Sequence, residues 1–142
     1  MSYEEKNTWS LGIIAVLGYA AYLVMAFLVG DGPLDPDTYM WPMVWAIGGG
    51  IVAGIVAGIL IGMASGGSMR RGATMSDRRD REIGWAGSRV GNSFIVIGGI
   101  GALILCFVDA PHVLIANTLY LGFVLAAILE TTTKIVIYRR GF

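Results

Sequence analysis

Four apolar stretches, from about Trp9 to Val29, Pro42 to Ala64, Val90 to Val108 and Val113 to Tyr138, set the terms for the rest of this sequence. Each is long enough to cross a hydrocarbon layer of roughly 30 Å, which takes about 20 helical residues at about 1.5 Å apiece. A membrane β-barrel would instead alternate polar and apolar residues over segments of about ten. These stretches are apolar on every side, so each is expected to be a helix that satisfies its own amides and carbonyls, as lipid demands. With 56% hydrophobic and 14% charged residues, the chain of 142 residues lies outside ordinary soluble composition. The expected fold is all-α and polytopic: one four-helix transmembrane domain over residues 1–142, with residues 65–89 as its long connection. "MSYEEKNTWS" is not a basic leader and no clear cleavage site follows the apolar stretch, so the first helix is expected to remain in the mature protein.

Charge orients these helices. All ten basic residues fall on one side: Lys6 before the first span, Arg70, Arg71, Arg78, Arg79, Arg81 and Arg89 between the second and third, and Lys134, Arg139 and Arg140 at the end of the fourth. The other side carries Asp31, Asp35, Asp37 and Asp109 and no Lys or Arg. The positive-inside rule then puts both termini and the long connection in the cytoplasm. Tyr39, Trp41 and Trp45 on the outer side, and Trp9, Trp85 and Tyr138 on the inner, suit aromatic belts at headgroup depth. The outer connections "GDGPLDPDTYMWP" and "DAPH" are too short for a folded domain, and Pro111 fits the first turn of the fourth helix.

Within the second span, "GGGIVAGIVAGILIG" places Gly50, Gly54, Gly58 and Gly62 one helical turn apart, on a single face widened by Ala53 and Ala57. Small residues let helices approach closely in lipid, where hydrophobic burial gives little drive to associate. One use of this face is packing against the first or third helix of the same chain, the third offering Gly91, Gly98, Gly99 and Gly101. The other is a homodimer, because four successive steps exceed what one crossing requires. Self-association of some kind is expected.

The long connection begins flexible and then turns into a charged helix. Ser76 or Asp77 is placed to cap it, and Asp77 with Arg81, and Arg78 with Glu82, are spaced as i,i+4 pairs. The third helix is therefore expected to start about three turns before the bilayer. Asp77, Arg78, Arg79, Asp80, Arg81 and Glu82 form a candidate surface for lipid headgroups or for a protein partner. A phosphoryl-substrate site is a weaker reading, since no nucleophile or base accompanies the arginines.

The run "SDRRDREIGWAGSRVGNSF", with Asp77, Arg79, Asp80, Glu82, Ile83 and Gly91, together with "MSYEEKNTW" and "IANTLYLGFVLAAILETTTKIVIYRRGF", resembles a family of small bacterial four-helix membrane proteins of unknown function. The resemblance spans nearly the whole chain. It implies a multi-pass protein of the bacterial inner membrane and supplies no reaction.

Polar groups within spans are functional candidates by default. Here they are Asn117, about one turn inside the fourth helix, and Glu130, which is spaced to pair with Lys134 near the inner end. Tyr19, Tyr22 and Tyr120 are expected to pack with their hydroxyls bonded, or else to line a lipid or quinone pocket. With Cys106 and His112 each alone of its kind, no metal site and no cofactor are expected. Small drug exporters carry a carboxylate in their first helix, and this first helix has none. The expected function is that of a non-enzymatic accessory or regulatory membrane subunit, dimeric, meeting membrane lipids and a cytoplasmic or membrane protein, with no catalytic residues and no nucleic-acid role. The alternative is a small dimeric transporter or channel with Asn117 and Glu130 on its path.

Overall fold

The structure, a computed structural model, describes residues 3–64 and 76–140, with side chains from Glu5 to Ala64 and from Arg78 to Arg140. Arg70 and Arg71 lie outside the described residues, and the Asp77 side chain does too. Four helices follow in order: α1 (Tyr3–Val29), α2 (Met40–Ala64), α3 (Ser76–Phe107) and α4 (His112–Arg140). All four are long and apolar enough to cross a membrane. Isoleucines, valines and leucines stand outward along each of them, as Val24, Ile55, Ile100 and Val136 illustrate. Lipid, not water, is the medium such a surface suits.

The helices overrun the apolar stretches at the end that carries Tyr3, Ser76 and Arg140, here called the terminal end. α1 starts six residues before Trp9, and α3 runs unbroken from Ser76 through its apolar stretch. At the opposite, hairpin end, both connections are tightly made. α1 stops at Gly30, whose N–H still reaches the Ala26 carbonyl at 3.1 Å, and Gly32 then takes a left-handed φ of 124° that a side chain would resist. α3 closes with Ala110 N–H on Leu105 O (2.9 Å) and Asp109 N–H on Cys106 O (3.2 Å), which is the Schellman pattern. Its left-handed residue is Asp109 (φ 51°), one of the few residue types besides glycine that accept that conformation. Pro111 then opens α4, its carbonyl accepting from Leu114 at 2.9 Å.

In space the helices touch in the order α3, α4, α1, α2. α4 packs along both α3 and α1, while α2 rests on α1 alone over any length among the described residues. Accordingly 28% of the apolar window of α4 is buried, against 6% for α2. The core lies toward the hairpin end, where Tyr22 and Ala26 of α1, Met43 and Ala46 of α2, and Tyr120 and Val124 of α4 pack together.

Candidate functional site

The most extensive contact, between α3 and α4, is built on glycines. A methyl group added at Gly98 would lie 2.9 Å from the Cα of Gly122, and one at Gly101 would meet the Thr118 methyl at 3.2 Å. Toward the terminal end, a methyl at Gly91 would press on Glu130 at 2.9 Å and one at Gly87 on the Lys134 stem at 2.6 Å. Positions 87, 91, 98 and 101 keep the four- and three-residue steps of one helix face, so the α4 side chains Lys134, Glu130 and Thr118 seat against glycines and at Gly98–Gly122 the two backbones meet directly. α1 approaches α4 in the same way at Gly12, where an added methyl would lie 2.5 Å from the Thr131 methyl.

The α2 glycines sit differently. Gly50 and Gly58 have nothing within 4 Å of an added methyl, and Gly54 meets only Leu11, at an ordinary 3.7 Å. Gly62 is partly exposed on the same stripe. Gly99 of α3 is likewise open, whereas Gly91, Gly98 and Gly101 belong to the α4 contact.

Glu130 and Lys134 form the pair that their spacing suggests, with Nζ 2.6 Å from Oε1. Ser88 of α3 donates to the same oxygen at 3.1 Å, which ties the pair across the helix contact. Beyond it, Tyr138 donates its hydroxyl to Asp80 at 3.0 Å, and Ile83 is fully buried between these contacts. The charged part of α3 is thus fastened to the end of α4 by Asp80, Gly87 and Ser88, with Ile83 buried on the same stretch. Arg78, Arg79, Arg81, Glu82 and Arg89 remain exposed on its other side. Arg78 and Glu82 make no ion pair, because in solvent the attraction of such a pair is of the order of the side-chain entropy it would cost.

At the other end of α4, Asn117 is used completely. Its amide donates one hydrogen to the Pro33 carbonyl (2.8 Å) and one to the Val113 carbonyl (2.9 Å), and its Oδ1 accepts from the Tyr22 hydroxyl at 2.6 Å. The result joins α4, α1 and the first connection. Tyr19, Tyr22 and Tyr120 cluster just beneath, with ring centroids 5.1 to 6.0 Å apart and the two Tyr120 contacts edge-on. Asn117 and Glu130 are 13 positions apart, about 20 Å along the helix. Between them the buried face of α4 carries Tyr120, Gly122, Val124 and Ala126.

In the first connection Asp35 accepts from the Thr38 hydroxyl (2.7 Å) and from the amides of Asp37 (3.0 Å) and Asp31 (3.3 Å). The Thr38 bond, followed by the two amides, holds its carboxyl below the usual range. Among the described residues no three His, Cys, Asp or Glu side chains stand together as a metal would need.

One feature was not foreseen from the sequence: a groove of about 380 Å³ between α1 and α4 at the terminal end, with Trp9, Gly12 and Thr131 in its lining. The Arg139 guanidinium lies 5.8 Å from the centroid of the Trp9 ring. The sequence signal was the pairing of Trp9 with Gly12 one turn on, legible only once Arg139 was known to stand across from them. No protein-family model, curated protein or solved structure matches this chain.

Proposed function

We propose that the chain is a non-enzymatic, self-associating subunit of the bacterial inner membrane that displays the charged start of α3 to a partner on the cytoplasmic side. The observation that carries this reading is the bracing of that segment. One face, through Asp80, Gly87 and Ser88, is fixed to α4, and the other bears Arg78, Arg79, Arg81, Glu82 and Arg89 without ion pairs among the described residues. A solvated topology signal needs no such scaffold, whereas a recognition surface gains by being held in one shape before the partner arrives. The concentration of basic residues at this end supports the cytoplasmic orientation.

For self-association the reading relies on α2. Its glycine stripe is largely unfilled within one chain, and α2 is the least enclosed helix. A second α2 lying along Gly50, Gly54, Gly58 and Gly62 would supply the close backbone contact those residues permit. The transport reading draws less support, since Asn117 and Glu130 are both engaged in fixed contacts at opposite ends of α4.

The test is site-specific photocrosslinking in native membranes from positions 79 and 82. A discrete heteromeric adduct that disappears in Arg78→Glu/Arg81→Glu is expected. Flux through proteoliposomes that Glu130→Gln abolishes would replace this reading with transport. For the dimer, Gly54→Leu and Gly58→Leu should remove the crosslinked homodimer and leave a folded monomer.

A further inference from the structure

The groove between α1 and α4 has a chemistry that the charged end of α3 does not share. Its lining includes Trp9, Gly12, Val16, Ile128, Thr131 and Val136, with no charged side chain. It is open along its flank, where Ile13 and Val16 are each about half exposed. At about 380 Å³ it falls within the roughly 300–1,000 Å³ typical of small-molecule sites. Its terminal-end mouth is cationic: Arg139 lies over Trp9, Arg140 follows it, and neither has a carboxylate partner among the described residues. Lys134, one turn earlier, is already neutralised by Glu130.

A second anomaly lies at the same place. The Trp9 indole N–H is buried and has no acceptor among the described residues, an arrangement that native structures rarely tolerate without cause.

We infer that this groove holds one acyl chain of an anionic phospholipid whose phosphate meets Arg139. The shape requires a slender apolar group that enters from the side, and the mouth requires an anion attached to it. A phospholipid satisfies both, and its ester carbonyls, just below the phosphate, are acceptors it can offer the unpaired Trp9 N–H. A neutral amphiphile would fill the groove but leave Arg139 unanswered. A soluble anion would answer Arg139 and leave the groove empty. Arginine suits the task because its planar fork offers paired donors to phosphate oxygens while its face stays on the indole.

The experiment uses the full chain with Trp41→Phe, Trp45→Phe and Trp85→Phe, three exposed positions, so that Trp9 alone fluoresces. The protein is reconstituted in phosphatidylcholine vesicles containing a fixed fraction of acyl-brominated lipid, either phosphatidylglycerol or phosphatidylcholine. Brominated phosphatidylglycerol is expected to quench Trp9 with an apparent affinity about fivefold higher, the effect of one arginine at a membrane surface. Arg139→Gln should bring the two lipids to parity. Val16→Phe, which plugs the groove from an exposed rim position, should reduce quenching by both while the helical circular dichroism is unchanged. Equal quenching in the parent protein would overturn the inference, as would a preference that survives Arg139→Gln or quenching indifferent to Val16→Phe. Absence of quenching by either lipid, with crosslinks between copies through α1 and α4, would place a second chain in the groove and overturn it as well.

Discussion

Gly98 of α3 and Gly122 of α4 approach so closely that a methyl group on either would sit 2.9 Å from the Cα of the other. No side-chain rearrangement can relieve that contact, because what it meets is backbone. Gly98→Leu or Gly122→Leu is therefore expected to push α3 off α4 and to destabilise the fold by about 3 kcal/mol, the upper part of the overpacking range. Gly50→Ala, with open space around it, should change unfolding in detergent by less than about 0.5 kcal/mol. Thermal unfolding of the three variants side by side checks the contrast.

Tyr22→Phe removes the donor to Asn117 Oδ1 and should cost about 0.6–1.7 kcal/mol, the range measured for hydrogen bonds between helices in bilayers. Asn117→Leu should cost more, since it also removes the 2.8 Å amide donor from the Pro33 carbonyl and leaves that carbonyl only the Tyr22 hydroxyl at 3.3 Å, which loosens the first connection. Limited proteolysis within residues 30–38 should accelerate in the second variant and not in the first.

Acid should loosen the same connection. Asp35 is held below its ordinary pKa by the Thr38 hydroxyl and then by the amides of Asp37 and Asp31. A carboxyl depressed in the folded state contributes order that is fully present above the unfolded value of about 3.9 and lost as pH falls through the folded one. Protection of the Asp31 and Asp37 amides, measured against their intrinsic exchange rates, should therefore fall only below about pH 4, and Asp35→Asn should remove that dependence.

Asp109 occupies a left-handed conformation at the end of α3. Asp109→Gly is expected to stabilise the hairpin by up to about 1 kcal/mol and Asp109→Val to destabilise it by about 1–2 kcal/mol, with the sign read from unfolding midpoints.

How much of this was legible in the sequence differs from element to element. The four helices follow from apolar stretches too long and too uniform for any other solution in lipid, and the early start of α3 follows from the cap and charges at residues 76–82. The Glu130–Lys134 pair could be read from its spacing, because it lies within one helix. What the sequence hides is which faces meet. The regular stripe at Gly50, Gly54, Gly58 and Gly62 stands out, yet the glycines pressed close against another helix are Gly12 of α1 and Gly87, Gly91, Gly98 and Gly101 of α3, whose spacing is interrupted and whose partners lie on α4. Asn117 reads as an intramembrane polar group, and only the fold shows its hydrogens spent on Pro33 and Val113. The groove depends on Trp9 and Arg139 coming together from opposite ends of the chain.

α4 alone lies along both α1 and α3, and the ribosome makes it after the other three helices. Among the described residues α3 packs along no other helix over any length, so before α4 is made nothing joins it to the α1–α2 hairpin except the connecting chain. The order of synthesis therefore makes α4 the closing piece: a chain translated only through α3 carries the glycine face of α3 without the helix that face fits.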